Sequence, residues 1–122
     1  MVADAYSVFV NMFLALDAAW ESYEEEDNSL RSFLSEASPY TFLGKGSADP
    51  AIWAGFHRKF VARFSDESAD LEDAHAFVVE YLGGMSGEYI EVFKGKVRLE
   101  DAFLEFAPLD RWLEVFELQE DE

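Results

Sequence analysis

Between Val2 and Tyr23 the apolar residues Val2, Tyr6, Phe9, Phe13, Leu16, Trp20 and Tyr23 recur at alternating steps of four and three. Steps of that size line up one face of an α-helix, which turns once in about 3.6 residues. Val10, Met12 and Leu14 widen the apolar surface past the stripe, so the expected element is a long amphipathic helix in the core. The run is too short for a coiled coil, which needs several sustained heptads. A chain that opens this way has to bury its first helix under others.

The rest of the chain supplies them. Asp27, Asn28 and Ser29 can end one helix and cap the next, and Leu30, Phe33 and Leu34 form a second helical face that ends by Ser38-Pro39. The loop SPYTFLGKGSADP closes on Asp49-Pro50, a capping residue followed by proline at the first helical position. Trp53, Phe56, Phe60 and Phe64 mark the buried side of a third helix. After SDESAD, where Ser68 is the expected cap, Leu71, Ala74, Phe77, Val78, Tyr81 and Leu82 predict a fourth helix that Gly83-Gly84 should stop.

Tyr89, Ile90 and Phe93 predict a short fifth helix ending near Gly95. Leu99, Ala102, Phe103 and Phe106 predict a sixth, and Leu109, Trp112 and Phe116 a seventh begun at Pro108, while KVRL also fits a brief extended piece. The expected fold class is all-α: a single-domain helical bundle of five to seven helices over residues 1–122, without internal repeats, with a frayed acidic tail at 118–122.

Half of the 122 residues are apolar, enough for one sizeable core, and 12 Phe, 3 Trp and 5 Tyr make that core aromatic. The absence of cysteine excludes disulfides, thiol catalysis and sulfur-ligated zinc, and makes a cytoplasmic location the default expectation. MVADAYSVF has no basic leader, and Asn11 and Asp17 interrupt the apolar residues that follow. Neither a signal peptide nor a membrane-spanning helix is expected.

Charge says more about partners. With 26 acids against 9 bases the net charge is −17, a field that repels nucleic acid and anionic membranes and attracts basic surfaces. The charges are segregated. Eight acids and only Arg31 fall in the first 36 residues, and nine acids and only Arg111 lie from Glu100 onward. Bases gather elsewhere, in one island of Lys45, Arg58, Lys59 and Arg63 and another of Lys94, Lys96 and Arg98. Such islands either neutralise neighbouring acids or face an anionic ligand.

Motifs for chemistry fall short of what the chemistry needs. Gly44-Lys45-Gly46-Ser47 precedes a helix as a phosphate cradle does, but Gly46 separates the lysine from the hydroxyl and no first glycine stands five residues before Gly44. Acidic runs counted from Glu25 or from Asp66 put leucine where a calcium loop requires glycine. Glu72 and His75 have the Glu-x-x-His spacing of carboxylate-bridged di-iron bundles, which use that motif twice; His57 has Ala54 three positions before it. Two helical histidines and no Gly-x-Ser-x-Gly elbow leave no nucleophilic triad. Both histidines sit beside apolar faces, where gaining a proton near neutrality would alter helix contacts. No catalytic residue, metal or cofactor is assigned.

Against that background the stretch WESYEEEDNS stands out, because Asp17, Glu21, Glu24 and Glu25 recur at helical spacing and repel one another. They also crowd the C-terminal end of the first helix, where the macrodipole disfavours anions by about 0.3–1 kcal/mol each. The expectation is a non-enzymatic interaction module in which Asp17, Glu21, Glu24, Glu25, Glu26 and Asp27 meet a basic protein, as inhibitors, immunity proteins and nucleic-acid mimics do. The alternative is a small-molecule or lipid-binding helical domain whose first-helix aromatics line a cavity.

Overall fold

The computed structural model describes residues 1–22, 27–41 and 46–120. Among these are six α-helices: α1 (Ala5–Ser22), α2 (Asn28–Ala37), α3 (Pro50–Arg63), α4 (Leu71–Phe93), α5 (Leu99–Phe106) and α6 (Leu109–Glu120). The all-α expectation holds. Two short strands, β1 (Val2–Asp4) and β2 (Ser68–Asp70), add a small antiparallel sheet with Ala3 opposite Ala69.

The sheet corrects the sequence reading at two helix starts. Val2 pairs with Asp70 instead of starting the helix, and α1 begins at Ala5, where Asp4 Oδ1 accepts the Ser7 N–H at 2.8 Å. Ser68 lies in β2 and does not cap; Asp70 occupies the N-cap of α4. Pairing partners more than sixty residues apart leave no local periodicity to read.

Phe9, Phe13 and Leu16 of the stripe are buried, but Tyr6 and Trp20 are only half-buried and Tyr23 lies outside the described residues; Val8 and Met12, off the stripe, are fully buried and shift the core face of α1 toward them. Phe9 is in ring contact with Trp53 and Phe56, whose ring also meets Phe60, Phe77 and Tyr81. These edge-to-face and stacked contacts join α1, α3 and α4. The aromatics of the first helix therefore fill space between helices.

α4 runs straight through Gly83, Gly84 and Gly87. Its buried stripe continues across them, from Val78 and Leu82 to Ser86 and Tyr89, and burial of that stripe outweighs the propensity cost of glycine, which is a weak local preference. The helix ends at Lys94, in the left-handed region at φ 59. Gly83 has a packing reason, since a Cβ there would lie 3.3 Å from Glu100 Oε2; at Gly84 and Gly87 a Cβ would meet open space. Gly84→Ala is therefore expected to raise stability by about 0.5–1 kcal/mol, seen as a higher denaturant midpoint, with a smaller gain for Gly83→Ala. No gain at residue 84 would mean that the helix is strained there.

Polar side chains lock the helices together. Trp112 Nε1 donates to the Leu71 carbonyl at 2.9 Å, and Ser86 Oγ donates to Glu100 Oε1 at 2.6 Å while accepting the Leu99 N–H at 2.7 Å. Tyr89 donates to Glu36 across α4 and α2. Its phenol is pushed well above the usual tyrosine range by burial and by that carboxylate. Of the tail expected to fray at 118–122, residues 121 and 122 lie outside the described residues. α6 continues to Glu120, and Gln119 exchanges amide hydrogen bonds with Asn11 at 2.9 and 3.3 Å, which holds this end against α1.

Candidate interaction surfaces

The residues around the acidic stretch divide sharply. Glu21 is exposed and Asp17 half-buried at the C-terminal end of α1, whose last turn carries no base. Among the described residues no lysine or arginine pairs with either. Glu24, Glu25 and Glu26 lie outside the described residues.

Asp27 does not belong to this surface. It is 8% exposed and caps α2: Oδ1 accepts the Leu30 N–H at 3.0 Å and the Ser29 hydroxyl at 2.5 Å. Oδ2 accepts the backbone N–H groups of Lys96 and Val97 at 2.7 and 3.0 Å. Burial alone would raise its pKa, but the hydrogen bonds from Ser29, Lys96, Leu30 and Val97 together hold it below the usual carboxylate value. Gly95 explains how the 95–97 segment comes so close, because a Cβ there would lie 2.5 Å or less from Ser29 atoms. The carboxylate is an internal clasp, and its four donors leave it none for a partner.

Beside Asp17 and Glu21 runs an open groove of about 170 Å³, lined by Leu14, Ala15 and Ala18 of α1 and by Arg111, Trp112 and Val115 of α6. Leu14 is 40% exposed, and Leu118, one turn beyond Val115, is 59% exposed. Helical spacing sets Asp17 and Glu21 next to Leu14 and Ala18, and Glu114 next to Leu118. Arg111, the one base of this stretch, is drawn to Glu114 at 3.6 Å. The groove is thus apolar apart from Asn11 and Arg111, with carboxylates following its lining residues along each helix. The composition of α1 did not single out Leu14, although it falls off the buried stripe, as Leu118 falls off the Trp112–Phe116 stripe of α6; that displacement was the available signal.

The basic island resolves differently. Lys45 lies outside the described residues, and Arg58, Lys59 and Arg63 are exposed on α3. Arg63 is 2.7 Å from Glu80 of α4, whereas Lys59 lies over the Tyr81 ring, 5.4 Å from its centroid, with no carboxylate partner among the described residues. Burial pushes the Tyr81 phenol up to about 12. Lys59 and Arg63 border a second groove, of about 430 Å³, together with Phe77, Glu80, Tyr81 and Gly84.

The other motifs are absorbed into structure. Ser47 is buried; its hydroxyl donates to the Asp49 carbonyl at 2.5 Å and accepts the Trp53 N–H at 3.0 Å, while Asp49 Oδ1 accepts the Ala51 N–H. The donors of the first turn of α3 are thus taken where a phosphate would need them. His75 Nε2 lies 2.7 Å from the Ala107 carbonyl, which has no hydrogen to give, so Nε2 is the donor. Glu72 is exposed to solvent on the same helix. His57 stacks on Trp53 and reaches Glu67 at 3.3 Å. Among the described residues no three histidines or carboxylates gather as metal ligands, and no helix is long and apolar enough to cross a membrane.

No family model matches the chain, and comparison with curated proteins and with solved structures finds no similar chain.

Proposed function

We propose that this chain is a non-enzymatic cytoplasmic interaction module whose α1–α6 face receives a basic, amphipathic helical segment of a protein partner. The observation that carries the reading is the exposed Leu14 in the lining of the α1–α6 groove, with Asp17 and Glu21 following it along the same helix, acids that no lysine or arginine of the described residues pairs with. A helix with one apolar face would lie in the groove, and lysines or arginines flanking that face would meet the carboxylates. The net charge of −17 would steer such a partner in from a distance, and salt would weaken the steering. Displaying unmatched carboxylates at a helix C-terminus costs stability, which a partner's cations would offset on binding.

A synthetic leucine–lysine amphipathic peptide, titrated by fluorescence anisotropy at low and high ionic strength, tests this. Asp17→Lys combined with Glu21→Lys is expected to weaken binding at least about tenfold, equivalent to about 1.4 kcal/mol. Asp66→Lys with Glu72→Lys makes the same change in net charge on exposed acids beyond the other end of α1, and is expected to do much less. Equal weakening by the two pairs would show general charge attraction without a docking face.

A further inference from the structure

The groove between α3 and α4 combines bases with an apolar wall. Lys59 and Arg63 border it from α3, and Phe77 and Tyr81 form its apolar side from α4. Its one acid, Glu80, is already paired with Arg63 at 2.7 Å. Lys59 keeps an ammonium without a carboxylate among the described residues, held over the Tyr81 ring. Two cations and one anion line this groove on a chain of charge −17.

Gly84 adds an independent observation. It lies in the interior of α4, where glycine costs about 1 kcal/mol relative to alanine, and a Cβ there would touch nothing within 4 Å. Unlike Gly83, it makes no room for a neighbouring side chain. It lies in the lining of the groove, so a large side chain there would project beside the cleft.

We infer that the α3–α4 groove binds a small organic monoanion with a flat apolar body, its carboxylate or sulfonate held by Lys59 and Arg63 and its body against Phe77 and Tyr81 beside Gly84. At about 430 Å³ the groove has the size of a small-molecule site. On a chain of net charge −17 an anion needs local cations, and Lys59 and Arg63 supply them beside an apolar wall. The Tyr81 phenol, pushed up to about 12 by burial, stays neutral at physiological pH and adds no competing charge. Arg58 is exposed on the same helix but does not border the groove, which makes it the natural control.

Anilinonaphthalene sulfonate, an aromatic monoanion whose fluorescence rises in apolar surroundings, is the probe. The wild type is expected to bind it saturably at one site. Lys59→Gln and Gly84→Leu should each weaken binding at least about tenfold, Arg58→Gln should leave it within about twofold, and uncharged phenylnaphthylamine should bind at least about tenfold more weakly. Circular dichroism and a denaturation midpoint no lower than wild type would show that Gly84→Leu blocks the groove without unfolding α4. Absence of saturable binding by the wild type, equal loss with Arg58→Gln, or full binding by a folded Gly84→Leu protein overturns the inference.

Discussion

Asp27→Ala is expected to destabilise the fold by at least about 3 kcal/mol, a large share of the roughly 5–15 kcal/mol that holds a domain together. The side chain is a helix cap, worth about 0.5–2 kcal/mol, and also the acceptor for two backbone N–H groups from a segment nearly seventy residues away. Hydrogen bonds to a charged acceptor contribute about 1.5–3 kcal/mol each, and removing the acceptor leaves desolvated donors unpaired. Asp27→Asn keeps one acceptor for the cap but turns an amide NH₂ toward the donors of Lys96 and Val97, so it too should lose most of the clasp. Urea midpoints for the two variants check this; a loss under about 1 kcal/mol for alanine would mean that the clasp is replaced by water.

The same clasp has a pH signature. Asp27 titrates below its ordinary value in the folded state, so its contribution is complete above the unfolded pKa of about 3.9 and is lost as pH falls through the lower folded value. The stability gap between wild type and Asp27→Asn should therefore be constant from neutral pH down to about 5 and shrink in more acidic solution. The gap is the informative quantity, because the protein as a whole also sheds repulsion among its 26 acids as they protonate. A gap that stays constant to the lowest pH at which the chain folds would show that the charge of Asp27 contributes nothing.

Phe56→Ala is expected to cost about 3–5 kcal/mol, the range for truncating a buried phenylalanine. The ring is fully buried and lies 5.1 Å from Phe9, 5.4 Å from Phe77 and 5.0 Å from Tyr81, centroid to centroid. It is the side chain through which α1, α3 and α4 meet, so neighbours on three helices would have to move together to close the void. Val92→Ala, at a 61% exposed position of α4, should change stability by less than about 0.5 kcal/mol. Comparable losses at both sites would contradict the packing described here.

Phe56 was legible in the sequence because its signal is local. Trp53, Phe56 and Phe60 fall on one helical face, and burying that face is the cheapest way to remove it from water. The same reasoning located α1, α2, α3, α5 and α6 and the cap at Asp49, and narrowed the cap of α2 to Asp27, Asn28 or Ser29. It failed at Gly83-Gly84, where a strong local stop signal lost to a buried stripe that continues to Tyr89. It failed at β1, whose partner strand is more than sixty residues away.

The candidate site was legible by half. Asp17 and Glu21 stand at the exposed end of α1, as their position at a helix terminus implied. Asp27, identical in charge and only six residues from Glu21, turned inward, because the donors that claim it come from Lys96 and Val97. Leu14 came to line a groove with Trp112 and Val115 only because α6 is tied to α1 through Asn11 and Gln119.

Helical periodicity, capping residues and total charge act over a few neighbours or over the whole chain at once, and the amino-acid order determines them without further information: an aromatic helical bundle with a strong negative field. Which carboxylate faces water and which becomes a clasp, which glycine makes room for a neighbour and which lines a groove, depends on groups far apart in the chain that meet only after the helices dock. The tertiary structure decided those, because a hydrogen bond or a steric contact acts over a few ångströms of space whatever the distance along the sequence.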